Sequence, residues 1–193
     1  MRSFEIARKI VDGKPVKYET DRCQTDVYEP AYPNAQLPLY KTCNSAGADF
    51  FCAEEVTIPS ICKALATFSG IDNLDLSDKD KFISYFRPTL VHTGIKASME
   101  PEEVLILSNR SSNPSLGLVL ANGIGVIDAD YYNNVKNDGE IMFAFYNFMP
   151  YDITLKVGDT LGQGIFSTFK YPEKGLRILN ETRNGGFGST NKN

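Results

Sequence analysis

A chain of 193 residues fits a single domain, since ~150 residues is the usual allowance for one and all-β domains often run longer. Its hydrophobic fraction of 42% and charged fraction of 23% are those of a globular protein that can bury a core without disulfides or a structural metal. The net charge of −4 argues against a general binder of nucleic acid or membrane surfaces, so an anionic ligand would need a local basic site.

The cysteines and the N-terminus point to a reducing compartment. The four cysteines form no CxxC pair and His92 is the only histidine, so a zinc site built from the usual ligands is not expected. The first residues contain no apolar signal segment, and no run of about 18 apolar residues occurs anywhere. We therefore expect a cytoplasmic protein with reduced thiols.

Short strands separated by turn residues dominate the pattern, which indicates an all-β fold. In chain order the predicted strands are residues 89–97, 103–108, 124–127, 140–146, 152–157 and 160–166. The stretch 140–146 is apolar on both faces, as in the middle of a sandwich, whereas 152–157 alternates strictly between apolar and polar residues.

Two further segments break the strand pattern. A helix is predicted at residues 77–86, where Ser77 can cap the start and Pro88 stops the end, within a polar insertion at about 64–87. Residues 180–193 are too rich in glycine and polar residues to fold alone. We therefore expect one domain over residues 1–179, followed by a flexible C-terminal arm.

Five short segments carry residue types suited to nucleotide chemistry. They are residues 45–49 (SAGAD), 109–112 (NRSS), 122–131 (NGIGVIDADY), 158–163 (GDTLGQ) and 183–190 (RNGGFGST). Their order and spacing resemble the five signature motifs of the trimeric dUTPase family, and the resemblance covers roughly residues 37–190. It implies a jelly-roll β-barrel that works as a homotrimer with Mg²⁺. It further implies that the protein hydrolyses dUTP to dUMP and pyrophosphate by attack of water at the α-phosphorus, which keeps uracil out of DNA and supplies dUMP for dTTP synthesis.

The reaction needs a carboxylate that orients and deprotonates a water. Asp128 directly follows the apolar run Gly-Val-Ile, so a strand can hold it rigidly at the wall of a pocket. The resemblance implies that Asp128 is this base and that Gln163 helps to hold the water and the α-phosphate. It also implies that Asp49 lies near the Mg²⁺ and contacts it through water, in keeping with the preference of Mg²⁺ for its own hydration shell.

Phosphate recognition is expected in two of the segments. The resemblance implies that Arg110, Ser111 and Ser112 bind the triphosphate, since arginine offers forked donors and small hydroxyls can reach bridging oxygens. In the C-terminal arm it implies that Arg183 reaches the γ-phosphate.

The nucleoside contacts follow from the same resemblance. Asn122 and Gly123 are implied to bind uracil through backbone groups, and the Tyr131 ring to pack against the deoxyribose and leave no room for a 2′-hydroxyl. In the arm, Phe187 is implied to close over the uracil ring. The remaining implied contacts lie in these two segments, at Val126, Ile127, Gly188 and Ser189.

One departure and two alternatives accompany this hypothesis. After Tyr131 the chain inserts Tyr-Asn-Asn-Val-Lys-Asn-Asp before Gly139, which lengthens the hairpin. A dCTP deaminase, or a bifunctional deaminase–dUTPase, shares the fold but carries a catalytic Glu where this chain has Ala144, three residues before Asn147. A regulatory protein that binds dUTP and signals to a partner would need the same pocket.

Overall fold

The structure is a computed structural model that describes residues 1–17, 26–70, 83 and 86–174. Over these residues the chain forms twelve β-strands and one α-helix. The first half contains β1 (Ser3–Ile6), β2 (Ile10–Val11), β3 (Lys14–Pro15), β4 (Ala48–Phe51), β5 (Val56–Ile58) and α1 (Ile61–Ser69). The second half contains β6 (Thr89–Ser98), β7 (Glu103–Asn109), β8 (Leu118–Leu120), β9 (Gly125–Asp128), β10 (Ile141–Asn147), β11 (Ile153–Leu155) and β12 (Thr160–Thr168). Two 3₁₀ turns, Pro114–Leu116 and Ala129–Tyr131, flank β8 and β9.

Two four-stranded antiparallel sheets make up the body of the fold. One has the strand order β1-β6-β10-β8 and the other β4-β12-β7-β9. The chain passes from one sheet to the other between β6 and β7, between β8 and β9, and between β9 and β10. Successive strands from β6 to β10 therefore alternate between the two sheets, which is the arrangement expected of a jelly roll.

The core lies between the two sheets and is rich in aromatic rings. Phe50 of one sheet and Phe143 of the other are fully buried, with ring centroids 5.8 Å apart. Phe4 meets Phe50 edge to face at 5.4 Å and lies 5.1 Å from Phe166. Burying such large apolar rings is a major source of the stability of the fold.

The strand predictions are confirmed. All six predicted strands are present, with ends that agree to within two residues. The helix α1, which begins at Ile61, was not predicted from the sequence. It starts after Ser60, whose side-chain oxygen accepts a hydrogen bond from the Lys63 backbone N–H at 3.1 Å and so caps the helix.

Other expectations fall outside the described residues. Residues 83 and 86 of the helix predicted at 77–86 are helical, and the rest of that segment lies outside the described residues, as does the C-terminal arm at 180–193. The division into a domain of residues 1–179 and an arm stays a prediction. Where the chain is described, no helix has the length and apolar character needed to cross a bilayer.

Candidate active site

Asp49 and Gln163 meet on neighbouring strands of one sheet. They are directly opposite each other in the pairing of β4 with β12, and the Gln163 amide donates from Nε2 to Asp49 Oδ1 at 2.9 Å. The other carboxylate oxygen of Asp49 pairs with Lys41 Nζ at 2.6 Å. Burial acts to raise the pKa of Asp49, but the hydrogen bonds from Lys41 and Gln163 and the positive charge of Arg110 outweigh it and hold the pKa below its ordinary value.

A tight turn follows β7 and presents the predicted phosphate-binding residues. Ser111 and Ser112 are exposed and Arg110 is half-buried. The turn is closed by the Asn113 backbone N–H, which donates to Arg110 O at 3.2 Å. The buried Asn113 amide donates to Asn109 Oδ1 at 2.7 Å and to Leu161 O at 2.6 Å, so it ties the turn to β12. This framework leaves the two serine hydroxyls facing solvent on a fixed backbone.

Asp128 ends β9, as the sequence indicates, and lines a cleft. The cleft has a volume of about 520 Å³, within the range of small-molecule sites. Its lining includes three carboxylates, those of Glu103, Asp128 and Asp130, and no Lys or Arg among the described residues. The other lining residues are Met99, Pro101, Ala129, Phe169 and Tyr171. On its own, this cleft is poorly suited to a triphosphate.

The Asn122–Gly123 turn and Tyr131 differ sharply in exposure. Asn122 and Gly123 are exposed, and Gly123 has a φ of +70°, which suits glycine. Val126 of the same segment is 53% exposed and Ile127 half-buried. The Tyr131 ring is only 5% exposed, and its hydroxyl donates to Glu140 O at 2.9 Å. Tyr131 thus packs firmly within its own chain.

Within one chain these residues form two separate groups. Asp49, Gln163 and Arg110 lie where β7 ends, because Gly162 pairs with Asn109. Asp128 lies near the start of β7, opposite Val104. At ~3.3 Å per residue, the six residues from Val104 to Arg110 span ~20 Å. A single chain therefore does not bring the predicted base to the predicted phosphate-binding residues.

The residues described here do not form a metal cage. In the described ranges, no three His, Cys, Asp or Glu side chains cluster closely enough to hold a metal ion. Asp49 is a lone carboxylate whose oxygens already accept hydrogen bonds, although each has a lone pair to spare. This suits a hydrated Mg²⁺ held mainly by substrate phosphates rather than by the protein.

Comparison with known proteins places the chain in a family. The dUTPase family model matches residues 73–191, which is more than half of the sequence.

The chain belongs to the dUTPase family.

Three known proteins illustrate the similarity of this dUTPase-family chain to its relatives, two by sequence and one by structure. A deoxyuridine 5′-triphosphate nucleotidohydrolase of Lactococcus lactis subsp. lactis is 44% identical over 102 residues, covering 52% of this chain and 68% of that protein. The protein of the same name from Wolinella succinogenes is 29% identical over 170 residues, covering 83% and 90%. The crystal structure of dUTPase from Streptococcus mutans is 33% identical with a TM-score of 0.57, covering 73% of this chain and 94% of that chain.

Two supporting residues of this dUTPase-family site were not found from the sequence. Lys41 neutralises Asp49, and Asn113 shapes the phosphate-binding turn. Lys41 lies on a loop that is held beside Asp49 by the β-bridge between Leu39 and Asp49. No local sequence pattern indicates that bridge. Asn113 could have been noticed as an amide next to the Arg-Ser-Ser segment. The predicted arm residues Arg183, Phe187, Gly188 and Ser189 lie outside the described residues.

Proposed function

We propose that this member of the dUTPase family hydrolyses dUTP to dUMP and pyrophosphate. The observation that supports the proposal most directly is the meeting of Asp49, Arg110 and Gln163 at one end of one sheet. These residues come from three segments far apart in sequence, and together they offer a cation, an amide and a carboxylate to one ligand. Such a set of convergent polar groups is what a phosphate chain requires.

In the proposed reaction, Asp128 accepts a proton from a water whose oxygen attacks the α-phosphorus. The bond from the α-phosphorus to the oxygen that bridges to the β-phosphorus breaks, and pyrophosphate leaves. The Gln163 amide keeps one N–H and its carbonyl oxygen for the water and the α-phosphate, since the other N–H is engaged by Asp49. Asp49 thereby fixes which way the amide points.

Arg110, Ser111 and Ser112 bind the phosphates, and Arg183 adds a contact to the γ-phosphate. Mg²⁺, when bound to the triphosphate, spreads the charge of the leaving pyrophosphate. Asp49 is the described carboxylate best placed to contact its waters, because Lys41 keeps Asp49 ionised.

We further propose that the working site lies between copies of the chain in a homotrimer. A base must come within hydrogen-bonding distance, about 3 Å, of the water it activates. Inside one chain Asp128 lies opposite Val104, whereas Gln163, which holds the water in this proposal, lies opposite Ser108, an offset of ~13 Å along β7. A second copy that brings its Asp128 to the Arg110 end of the first removes the conflict. Closed threefold symmetry then gives three equal sites.

Nucleoside selection is assigned to the segment that contains Asp128. Asn122 and Gly123 are exposed and can meet uracil with backbone groups, and Val126 and Ile127 follow in the same strand. Tyr131 supplies a rigid flat ring against the deoxyribose. Phe187, Gly188 and Ser189 of the arm close over the base.

Deamination is disfavoured by the chemistry of β10. Ala144 occupies the position of the deaminase glutamate, and its side chain is buried. Asn147 is buried as well and is used structurally, since its amide donates to Ile58 O at 3.0 Å and to Tyr151 O at 2.8 Å. No general acid or base is available at Ala144.

The reaction is tested with a panel of nucleoside triphosphates in which pyrophosphate and ammonia are both measured. The wild-type protein should release pyrophosphate from dUTP, with Mg²⁺ required, and no ammonia from dCTP. Asp128→Asn should bind dUTP but lose at least ~10²-fold in kcat, the usual contribution of a general base. Near-normal turnover by Asp128→Asn would reject the base, and stoichiometric binding of dUTP without turnover would favour a regulatory protein.

A further inference from the structure

The residues inserted after Tyr131 form, together with Gly139, an ordered loop rather than a loose extension. This segment is the 132–139 loop. Three of its residues have left-handed backbone conformations: Asn133 with φ 56°, Asp138 with φ 59° and Gly139 with φ 83°. Such conformations are uncommon outside glycine and need support from the surroundings. The loop is therefore held in one shape by its contacts.

Hydrogen bonds from the loop reach Tyr131 at its side-chain hydroxyl and at its backbone carbonyl. The Asn137 amide donates from Nδ2 to the Tyr131 hydroxyl at 2.9 Å and to Glu140 O at 3.1 Å, the carbonyl that also accepts from that hydroxyl. The buried Asn134 amide donates to Tyr131 O at 3.0 Å. A Cβ at Gly139 would come within 2.8 Å of the same carbonyl, so the loop closes tightly against Tyr131.

A buried ion cluster ties the loop to the body of the fold. Asp138 is 1% exposed and accepts from Lys96 Nζ on β6 at 2.8 Å. It also accepts from the Arg8 backbone N–H at 2.7 Å and from Arg8 Nε at 2.9 Å. Lys96 further donates to Asn133 Oδ1 at 2.6 Å. Two cations on one buried carboxylate make this the most strongly anchored point of the loop.

We propose that the 132–139 loop sets sugar selectivity, with Asn137 as the positioning residue that fixes the Tyr131 ring. The inference rests on the proposed function, in which that ring faces the deoxyribose. Tyr131 excludes a 2′-hydroxyl only if its ring cannot shift, because a displacement of about 1 Å makes room for an oxygen atom. Asn137 restrains the phenol end, and Asp138 restrains the loop that carries Asn137.

The test compares kcat/KM for dUTP and UTP in wild-type protein and in Asn137→Ala. Loss of the hydrogen bonds of the Asn137 side chain, including the one to the Tyr131 hydroxyl, should lower the dUTP preference by about fivefold or more, mainly through better use of UTP. The matched control is Val135→Ala, which changes a 56% exposed residue of the same loop and should leave both values unchanged. Asn137→Asp, which keeps the shape but replaces the donor with acceptors, is the second variant if Asn137→Ala does not fold.

A double-mutant cycle shows whether Asn137 acts through the tyrosine hydroxyl. In a Tyr131→Phe background, Asn137→Ala should cause no further loss of preference. An unchanged preference in Asn137→Ala, or an equal loss with and without the hydroxyl, would overturn the inference. If wild-type protein does not hydrolyse dUTP at all, both the proposed function and this inference fail. If wild-type protein prefers dUTP and Asn137→Ala retains that preference, only the inference fails.

Discussion

Asp49 shows how a single side chain can serve two purposes at the residue scale. One oxygen accepts from Gln163 and the other pairs with Lys41, so the carboxylate orients the Gln163 amide while remaining ionised. Its lowered pKa means that protonation does not interfere near neutral pH. Activity measurements test the proposed contact between this charge and hydrated Mg²⁺.

Asp49→Asn should raise the Mg²⁺ concentration that gives half-maximal dUTP hydrolysis by about tenfold, since residues that hold metal-bound waters commonly contribute that much. The measurement is a Mg²⁺ titration of the initial rate at saturating dUTP. Lys63→Met is the control, because Lys63 pairs with Asp152 outside the site. A lower kcat with an unchanged Mg²⁺ requirement would mean that Asp49 acts only through Gln163.

His92 provides a second residue-scale prediction, on pH. Its Nδ1 lies 3.1 Å from Glu140, and its ring stacks on Tyr32 with centroids 4.7 Å apart. The hydrogen bond with Glu140 raises the pKa of His92 against the opposing effect of burial, and Glu54 adds a smaller electrostatic contribution. A raised folded-state pKa stabilises the protein fully below the unfolded value of ~6.5, and the stabilisation is lost as pH rises through the folded value.

The Tm of wild-type protein should therefore fall as pH rises from ~6.5 through the raised pKa of His92, because the stabilising interaction with Glu140 is lost there. His92→Gln should remove this part of the pH dependence. Because His92 is the only histidine, the difference between the two curves is due to that side chain. Parallel curves for the two proteins would contradict the predicted coupling.

At the scale of elements, β12 is shaped by the close approach of the two sheets. A Cβ built at Gly162 would lie 2.2 Å from Cε1 of the buried Phe143 and 2.6 Å from Ser108 O. The backbone just before Gln163 is therefore pressed against the core, and only glycine fits there. This close contact fixes how near to the core the β12 backbone lies just before Gln163.

Gly162→Ala should destabilise the protein by at least ~2 kcal/mol, because an added methyl would overpack a rigid site. Thermal unfolding at matched protein concentration measures the change, since the Tm of a protein that self-associates depends on its concentration. Gly70→Ala is the control, because a Cβ there meets only ordinary contacts of 3.8 Å. Equal Tm values for Gly162→Ala and wild type would show that β12 can move away from the core.

The sequence predicted those elements whose pattern is local. β10 is a continuous apolar run and β11 alternates between apolar and polar residues, so the existence of both could be anticipated. β1 depends on pairing with β6, from Ser3 opposite Ser98 to Ile6 opposite Ile95, and four residues carry too little pattern to reveal it. The helix α1 was missed although Ser60 is a suitable cap and Gly70 a suitable stop.

The residues of the candidate site could be proposed from the sequence, but their arrangement in space could not. Motif resemblance singled out Asp49 and Gln163, yet they are 114 residues apart and meet only through the register of β4 and β12. Likewise, the inserted residues after Tyr131 looked like a lengthened hairpin. Their role in holding Tyr131 depends on Arg8 and Lys96, which are remote in sequence.

At the scale of the whole molecule, one sheet carries the two proposed half-sites at opposite ends. Strands β4, β12 and β7 present the proposed phosphate-binding residues at one end, and β9 presents Asp128 at the other. The acidic cleft beside Asp128 has no basic residue among its described lining, whereas the other half-site has Arg110. The two ends are chemically complementary, which is the basis for expecting a site shared between copies.

The most direct test of a dUTP-hydrolysing site shared between copies mixes two inactive variants. Asp128→Asn and Arg110→Ala should each be nearly inactive alone. Unfolded together and refolded as random equimolar trimers, they should recover about a quarter of the wild-type sites, because that fraction combines an intact base from one copy with an intact arginine from another. Each variant refolded alone is the control. If the mixture remains as inactive as the separate variants while forming trimers, base and arginine come from the same chain, and the shared site is contradicted.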